Sequence, residues 1–160
     1  MYFNYYVLKT NHKNYYIMCG IFALIGNKQT EINSDTRNYY LELSKRIRHR
    51  GPDWNGIYID EDNKVIICHE RLSIVGVENG SQPLINNSDN NELVLSVNGE
   101  IYNYNELYKS VLLEKHIPDT KSDCESIIHL YKEFGAQSTD FVKMLDGIFS
   151  FILYDKNNEC

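Results

Sequence analysis

The rhythm of apolar positions changes along the chain, and each change predicts an element. Cys19-Gly20-Ile21-Phe22-Ala23-Leu24-Ile25 is a continuous apolar run closed by Gly26 and Asn27, short enough for a strand buried on both faces. Tyr39, Leu43 and Ile47 then recur every four residues, one face of a helix that Ser34 or Asp35 caps and Gly51-Pro52 stops. Residues 56–60 and 64–69 read as two strands joined by Glu61-Asp62-Asn63, a hairpin. Residues 78–91, rich in asparagine, glycine and serine, read as a loop leading to a strand over 92–97 that Asn98-Gly99 ends. Asn105 caps a predicted helix through Lys115 with Leu107, Val111 and Leu112 inward, and Pro118 falls in the loop beyond it. Ser122-x-x-Glu125 has the form of a capping box, opening a helix with Ile127, Ile128 and Tyr131 inward and Gly135 at its end. A short helix over 141–145 and a strand over 147–154 complete the series. Strands come in hairpins and helices in pairs, without the strict alternation of a parallel sheet, so the pattern predicts an α+β layered domain.

Composition narrows the class. A chain of 160 residues, 42% hydrophobic, buries one core and makes one ordinary domain. A formal net charge of -6 argues against a nucleic-acid surface, which needs clustered lysine and arginine. The dense basic run Lys45-Arg46-Ile47-Arg48-His49-Arg50 reads first as a solvated helix end, where the dipole favours positive charge. Cys19, Cys68, Cys124 and Cys160 lack the paired spacing of a zinc site or redox motif and read as free thiols of a reducing compartment. The histidines His12, His49, His69, His116 and His129 make no metal-ligand spacing, so no metal is expected. The apolar runs 65–68 and 148–154 fall far short of the roughly 20 residues that span a bilayer. A soluble, cytoplasmic chain without membrane contact is the expectation.

Residues 1–18 stand apart, carrying five of the thirteen tyrosines and no acidic residue, which places a domain boundary at Cys19. They lack the apolar core and cleavage site of a secretory signal peptide. They read as a pro-segment, or as an extension upstream of a true start at Met18.

The candidate chemistry begins at Met18-Cys19-Gly20-Ile21-Phe22. A thiol becomes a strong nucleophile when a base takes its proton, and at a chain's own N-terminus the α-amino group does that work. Its ordinary pKa, roughly 7.7 to 8.0, suits neutral pH. Alone, these residues read equally as a buried strand containing a small cysteine. Four further stretches change the balance: Arg48-His49-Arg50-Gly51-Pro52-Asp53, His69-Glu70-Arg71-Leu72-Ser73-Ile74-Val75, Val97-Asn98-Gly99-Glu100-Ile101-Tyr102-Asn103 and Ser122-Asp123-Cys124-Glu125. Read in order with Cys19, they resemble the glutaminase domain of asparagine synthetase across residues 19–155. Other amidotransferases with an N-terminal nucleophile differ around the arginine and before the Asn-Gly, so the resemblance is to the asparagine branch.

The resemblance implies a four-layer α/β/β/α sandwich of the N-terminal-nucleophile hydrolase type. It implies that Cys19 attacks the glutamine side-chain amide, with its freed α-amino group as base and then acid, and that water hydrolyses the thioester. The side chain of Asn98 and the backbone N–H of Gly99 match the oxyanion donors; read alone, Asn-Gly is also a plain hairpin turn. Arg71 matches the fork that grips the substrate α-carboxylate, although a surface ion pair with Glu70 is the bland reading. Glu100 and Asp123 match the two acids that hold the α-ammonium, or are otherwise a solvated turn residue and a helix-start aspartate. Backbone carbonyls near Ile74 and Val75 add contacts. Arg50, Gly51, Pro52 and Asp53 look structural, a tight helix exit packed close to the site.

Two departures accompany the likeness. Gly76 stands where the family usually has an aspartate. The family's glutaminase domain also continues past the strand ending near Asp155, and its ATP-binding synthetase domain carries a Ser-Gly-Gly-x-Asp-Ser loop that these residues lack. The expectation is therefore a glutaminase domain over 19–160, incomplete at its C-terminus. It turns L-glutamine and water into L-glutamate and ammonia for a synthetase domain or subunit elsewhere. No cofactor is expected in this chain, ATP and Mg belonging to the synthetase part. The alternative is an inactive relic or binding module, because Cys19 is internal and the domain cut short.

Overall fold

The strand Val65–Arg71, β3, is buried at all seven positions, including His69, Glu70 and Arg71. A strand so enclosed needs partners at both edges and cover on both faces. In the computed structural model, which describes residues 19–26, 31–72, 81–88, 91–112, 115–135 and 138–158, it has all four. β1 (Gly20–Ile25) and β2 (Trp54–Asp60) flank it in an antiparallel sheet of order β1-β3-β2. The predicted hairpin is β2–β3, with Asp60 paired to Val65.

Alternation sorts the side chains of β3 between two layers. Val65 and Ile67 join Tyr58 of β2 against Val94 and Tyr154 of a second sheet. On the other face Glu70 accepts a hydrogen bond from Ser44 Oγ at 2.7 Å, on the helix α1 (Ser34–Lys45). That contact corrects the predicted helix stripe: Ser44 is buried and Tyr39 is 60% exposed, so the helix is rolled to meet the polar Glu70. Its cap is Asn33, whose side chain accepts from Thr36 N–H at 2.9 Å, instead of Ser34 or Asp35.

The second sheet has the order β4-β5-β6, from Leu84–Ser88, Asn91–Ile101 and Gly147–Asp155, all antiparallel. β4 lies inside the stretch expected to be a loop. Its two asparagines hide the strand from composition, but Leu84 is buried opposite Leu95, and Asn86 Nδ2 donates to Asp119. β5 also corrects an expectation. It does not end at Asn98-Gly99 but runs on to Ile101, with Asn98 opposite Ser150 and Gly99 opposite Phe149.

Beyond this sheet lies the helical layer: α2 (Tyr104–Ser110), α3 (Ser126–Phe134) and the 3₁₀ turns Asp123–Glu125 and Thr139–Met144. Leu93, Leu95, Val97 and Ile101 meet Leu107, Ile127, Leu130 and Phe141 in the larger core. At roughly 2 kcal/mol for each large aliphatic side chain buried, this core dominates the favourable side of folding. α2 starts at Tyr104, so Asn105 is inside it and Asn103 holds the cap position. The capping box also fails: Ser122 makes no cap bond, and Glu125 instead accepts from the N–H groups of Asp119 and Thr120 at 2.6 and 2.7 Å. Gly135 ends α3 at φ 66° as expected. The result is helix, sheet, sheet and helix in layers, an α+β sandwich.

Candidate active site

Three backbone segments converge at one end of the two sheets. Cys19 precedes β1, and because Gly20 pairs with Glu70, it lies beside the end of β3. Its half-buried thiol accepts from Leu72 N–H at 3.3 Å and donates to the Leu72 carbonyl at 3.7 Å. Arg50 Nε donates to the Cys19 carbonyl at 3.3 Å. The next residue, Gly51, presses on β3 so closely that a Cβ there would sit 2.1 Å from the Glu70 carbonyl oxygen. Asp53 N–H then donates to the Arg71 carbonyl at 3.0 Å. The segment 50–53 thus clamps the ends of β1 and β3 together, which gives its structural reading a geometry.

The third segment is the second half of β5, which packs against β1 and β3. Gly99 has φ +146°, and a Cβ on it would lie 2.0 Å from the Ile148 carbonyl oxygen, so only glycine fits. Asn98 holds its Oδ1 buried without a hydrogen-bond partner among the described residues. Asp123 Oδ2 accepts from Ile101 N–H at 2.6 Å, which fastens the 3₁₀ turn to β5 one residue beyond the exposed Glu100. Cys124 Sγ donates to the Gly99 carbonyl at 3.7 Å. Burial first, then Asp123 and the Cys19 thiol, push the Cys124 thiol well above its ordinary range.

Cys19, Asn98, Gly99 and Asp123 are therefore gathered where the three segments meet. Arg71 is buried at the last position of β3, two residues beyond His69 on the same side of the strand. Ile74 and Val75 lie outside the described residues, as do Gly76 and residues 1–18.

Three neighbours of the site have no role assigned by the motifs. Cys124 stands in a motif without a role of its own, yet its thiol donates to the Gly99 carbonyl and is near enough to Cys19 to feel its charge. Gln82, in the asparagine-rich stretch, accepts from Val97 N–H at 2.6 Å. His69 opens one of the motifs but carries no assigned role there. Its Nδ1 lies 2.9 Å from Ser96 Oγ across the interface between the sheets. Burial, and next the charge of Arg71, lower its pKa from 6.5 to about 4, so the imidazole is neutral at pH 7. The usable signal was alternation, which puts His69 on one face with Arg71 and Ser96 on one face with Asn98.

A cavity of about 540 Å³ opens elsewhere, between Tyr104, Tyr108, His116 and Lys121 of the helical layer, and none of the expected site residues lines it. Among the described residues no cluster of three or more His, Cys, Asp or Glu is placed to hold a metal ion. Nor is any helix there long and apolar enough to cross a membrane.

A family model of the glutamine amidotransferase domain matches residues 18–160. A probable glutamine-hydrolysing asparagine synthetase of Dictyostelium discoideum is 51% identical over 140 residues, 87% of this chain and 24% of that protein. Glutamine-hydrolysing asparagine synthetase 1 of Arabidopsis thaliana is 49% identical over 138 residues, 86% of this chain and 22% of its own. The chain thus spans about a quarter of the length of these relatives. A solved structure of the allosteric regulatory enzyme of purine biosynthesis covers 59% of this chain and 22% of its own, at 27% identity and a TM-score of 0.49.

Proposed function

We propose, from the premise that this chain belongs to the glutamine amidotransferase domain family, that it hydrolyses L-glutamine to L-glutamate and ammonia at Cys19. The observation that carries this reading is the convergence of the Cys19 thiol with Asn98-Gly99 of β5 and Asp123 of the 3₁₀ turn. In the reaction, the Cys19 α-amine takes the thiol proton and the sulfur attacks the side-chain carbonyl carbon, forming a C–S bond. The oxygen that becomes negative is received by Asn98 Nδ2–H and Gly99 N–H, donors that are each typically worth about a hundredfold or more in rate. The C–N bond breaks as the α-ammonium returns its proton to the departing nitrogen, releasing ammonia. Water then cleaves the thioester, with the same amine as base.

Arg71 faces the substrate carboxylate in this reading, and Glu100 and Asp123 face its ammonium, with backbone carbonyls near Ile74 and Val75 completing the pocket. Gly99 lies inside β5 opposite Phe149 with a left-handed φ, so Asn98-Gly99 is not a plain hairpin turn, which supports these roles. No step calls for a cofactor from this chain. The relatives are named glutamine-hydrolysing asparagine synthetases; in this reading the ammonia goes to a synthetase domain or subunit that amidates aspartate with ATP and Mg, and we place the reaction in the cytoplasm.

Two ends of an amino acid are read in this proposal, so L-glutamine should release ammonia while acetamide and butyramide should not. An ammonia assay over the three amides decides it. Comparable turnover of a simple amide would remove Arg71, Glu100 and Asp123 from their assigned roles.

A further inference from the structure

The loop that precedes Asp123 is built around one buried carboxylate. Glu125 is 2% exposed and closes the 3₁₀ turn Asp123–Glu125, yet its side chain runs back along the chain. Its Oε1 accepts from Asp119 N–H at 2.6 Å, and its Oε2 accepts from Thr120 N–H at 2.7 Å and from the Thr120 hydroxyl at 2.6 Å. His129 Nε2, one turn on in α3, lies 3.2 Å from Oε1. An ionised carboxylate presents acceptors only, so it suits a place where N–H and O–H donors converge. An amide of the same shape does not, because one half of its polar edge is a donor.

The effect of this arrangement reaches Ser122, the residue before Asp123. Ser122 N–H donates to Thr120 Oγ1 at 3.1 Å, and the Ser122 carbonyl accepts from Glu125 N–H at 3.3 Å. The Thr120 hydroxyl therefore turns its lone pair to Ser122 and its proton to Glu125. Both ends of this relay have fixed roles, since a backbone N–H only donates and a carboxylate only accepts. Asp123 follows directly. Its Oδ2 is on Ile101 N–H of β5 at 2.6 Å, and its carbonyl accepts from Ser126 Oγ of α3 at 2.7 Å. Asp123 is thus held ahead by β5 and α3, and behind by a residue that Glu125 holds through its own N–H and through Thr120.

We propose that Glu125 is a positioning residue for substrate binding: by folding the loop 119–122 onto its carboxylate, it sets Asp123 where the α-ammonium of L-glutamine is read. The inference rests on the glutaminase reading above and deepens it, because it places a second, buried carboxylate behind the one that meets the ammonium.

The test uses the full chain in its glutamine-hydrolysing form and two ligands, L-glutamine and glutaramate, which is glutamine without its α-amino group. E125Q should raise KM for L-glutamine about tenfold with kcat changed less than about threefold, the pattern of binding lost equally from ground and transition states. The inhibition constant of glutaramate against L-glutamine hydrolysis should change less than about threefold, because that ligand has no ammonium for Asp123 to hold. A change that only loosens the fold would instead lower kcat, or weaken both ligands together, and either result overturns the positioning role. In a D123N background E125Q should raise KM no further, and an equal rise in both backgrounds overturns it as well. D123N with unchanged KM would instead sink the ammonium assignment on which the inference rests. Thr120 supplies a test that survives a failure of E125Q to fold. T120V, which removes the hydroxyl between Glu125 and Ser122, should raise KM for L-glutamine severalfold, and T120S, which keeps it, should not. Equal KM values in these two variants contradict the proposal.

Discussion

At the scale of single residues, burial decides what charge can exist. His69 has no exposure and a pKa near 4, against about 6.5 in an unfolded chain. Between those values the unfolded chain binds a proton at this ring and the folded chain does not, so folding loses stability as pH falls through the window. The loss is on the order of 3 kcal/mol across it. Glutamine at this position removes the titration, so the stability advantage of the native chain over H69Q should shrink by about 2 to 3 kcal/mol between pH 7 and pH 4.5. Denaturant unfolding of both proteins at the two pH values measures this, and a difference that does not change with pH contradicts it. Glu125 shows the opposite balance. Burial alone would raise it, but bonds from His129, Thr120 and the Asp119 and Thr120 N–H groups outweigh that and hold it ionised. Both groups were invisible as such in the sequence: Glu125 was assigned to a cap, and nothing local says that a carboxylate will serve the loop before it.

Elements were legible where the apolar period is strong and obscure where polar residues are buried. β1, the β2–β3 hairpin, α3 with its Gly135 stop and β6 all stand within a few residues of their sequence-based limits. β4 is hidden because its buried asparagine is held by tertiary partners: Asn86 binds Asp119 and Lys132, and neither contact has a local signature. The roll of α1 was misjudged for a related reason, since Tyr39 looks like a core residue until Glu70 claims Ser44. The reading of Asn98-Gly99 as a strand end fails most instructively. Gly99 does carry a left-handed backbone, but inside a strand whose partner continues opposite it. Alanine at Gly99 would add a Cβ 2.0 Å from a backbone oxygen in a conformation that L residues avoid, and neither the Ile148 carbonyl nor the strand can move cheaply. G99A should therefore destabilise the domain by about 3 kcal/mol or more, read from urea unfolding. A loss below about 1 kcal/mol would mean that β5 does not take this path.

For the whole molecule, the two sheets are tied at both ends by different means. Away from Cys19, Tyr154 OH donates to the buried Asp60, Tyr58 OH donates to Glu92, and Lys156 lies within 3.7 Å of Asp60 and 3.5 Å of Glu92. At the Cys19 end the tie is the contact of His69 Nδ1 with Ser96 Oγ at 2.9 Å. The layered architecture was legible from five motifs and their order; which face each motif turns inward was not, because that depends on how the sheets stack. The central claim is that Cys19 acts with its own α-amine, and in the given sequence eighteen residues precede it. An amide nitrogen accepts no proton, and losing a positioned acid–base group typically costs about a hundredfold to ten-thousandfold in rate. The direct measurement is ammonia release from glutamine, with intact mass determined on the same samples, for protein beginning at Cys19 and protein retaining residues 1–18. The Cys19-started form should be active, C19A in it inactive, and the form retaining Met1 slower by at least about a hundredfold. Equal rates from the form that retains Met1 would contradict the N-terminal amine mechanism.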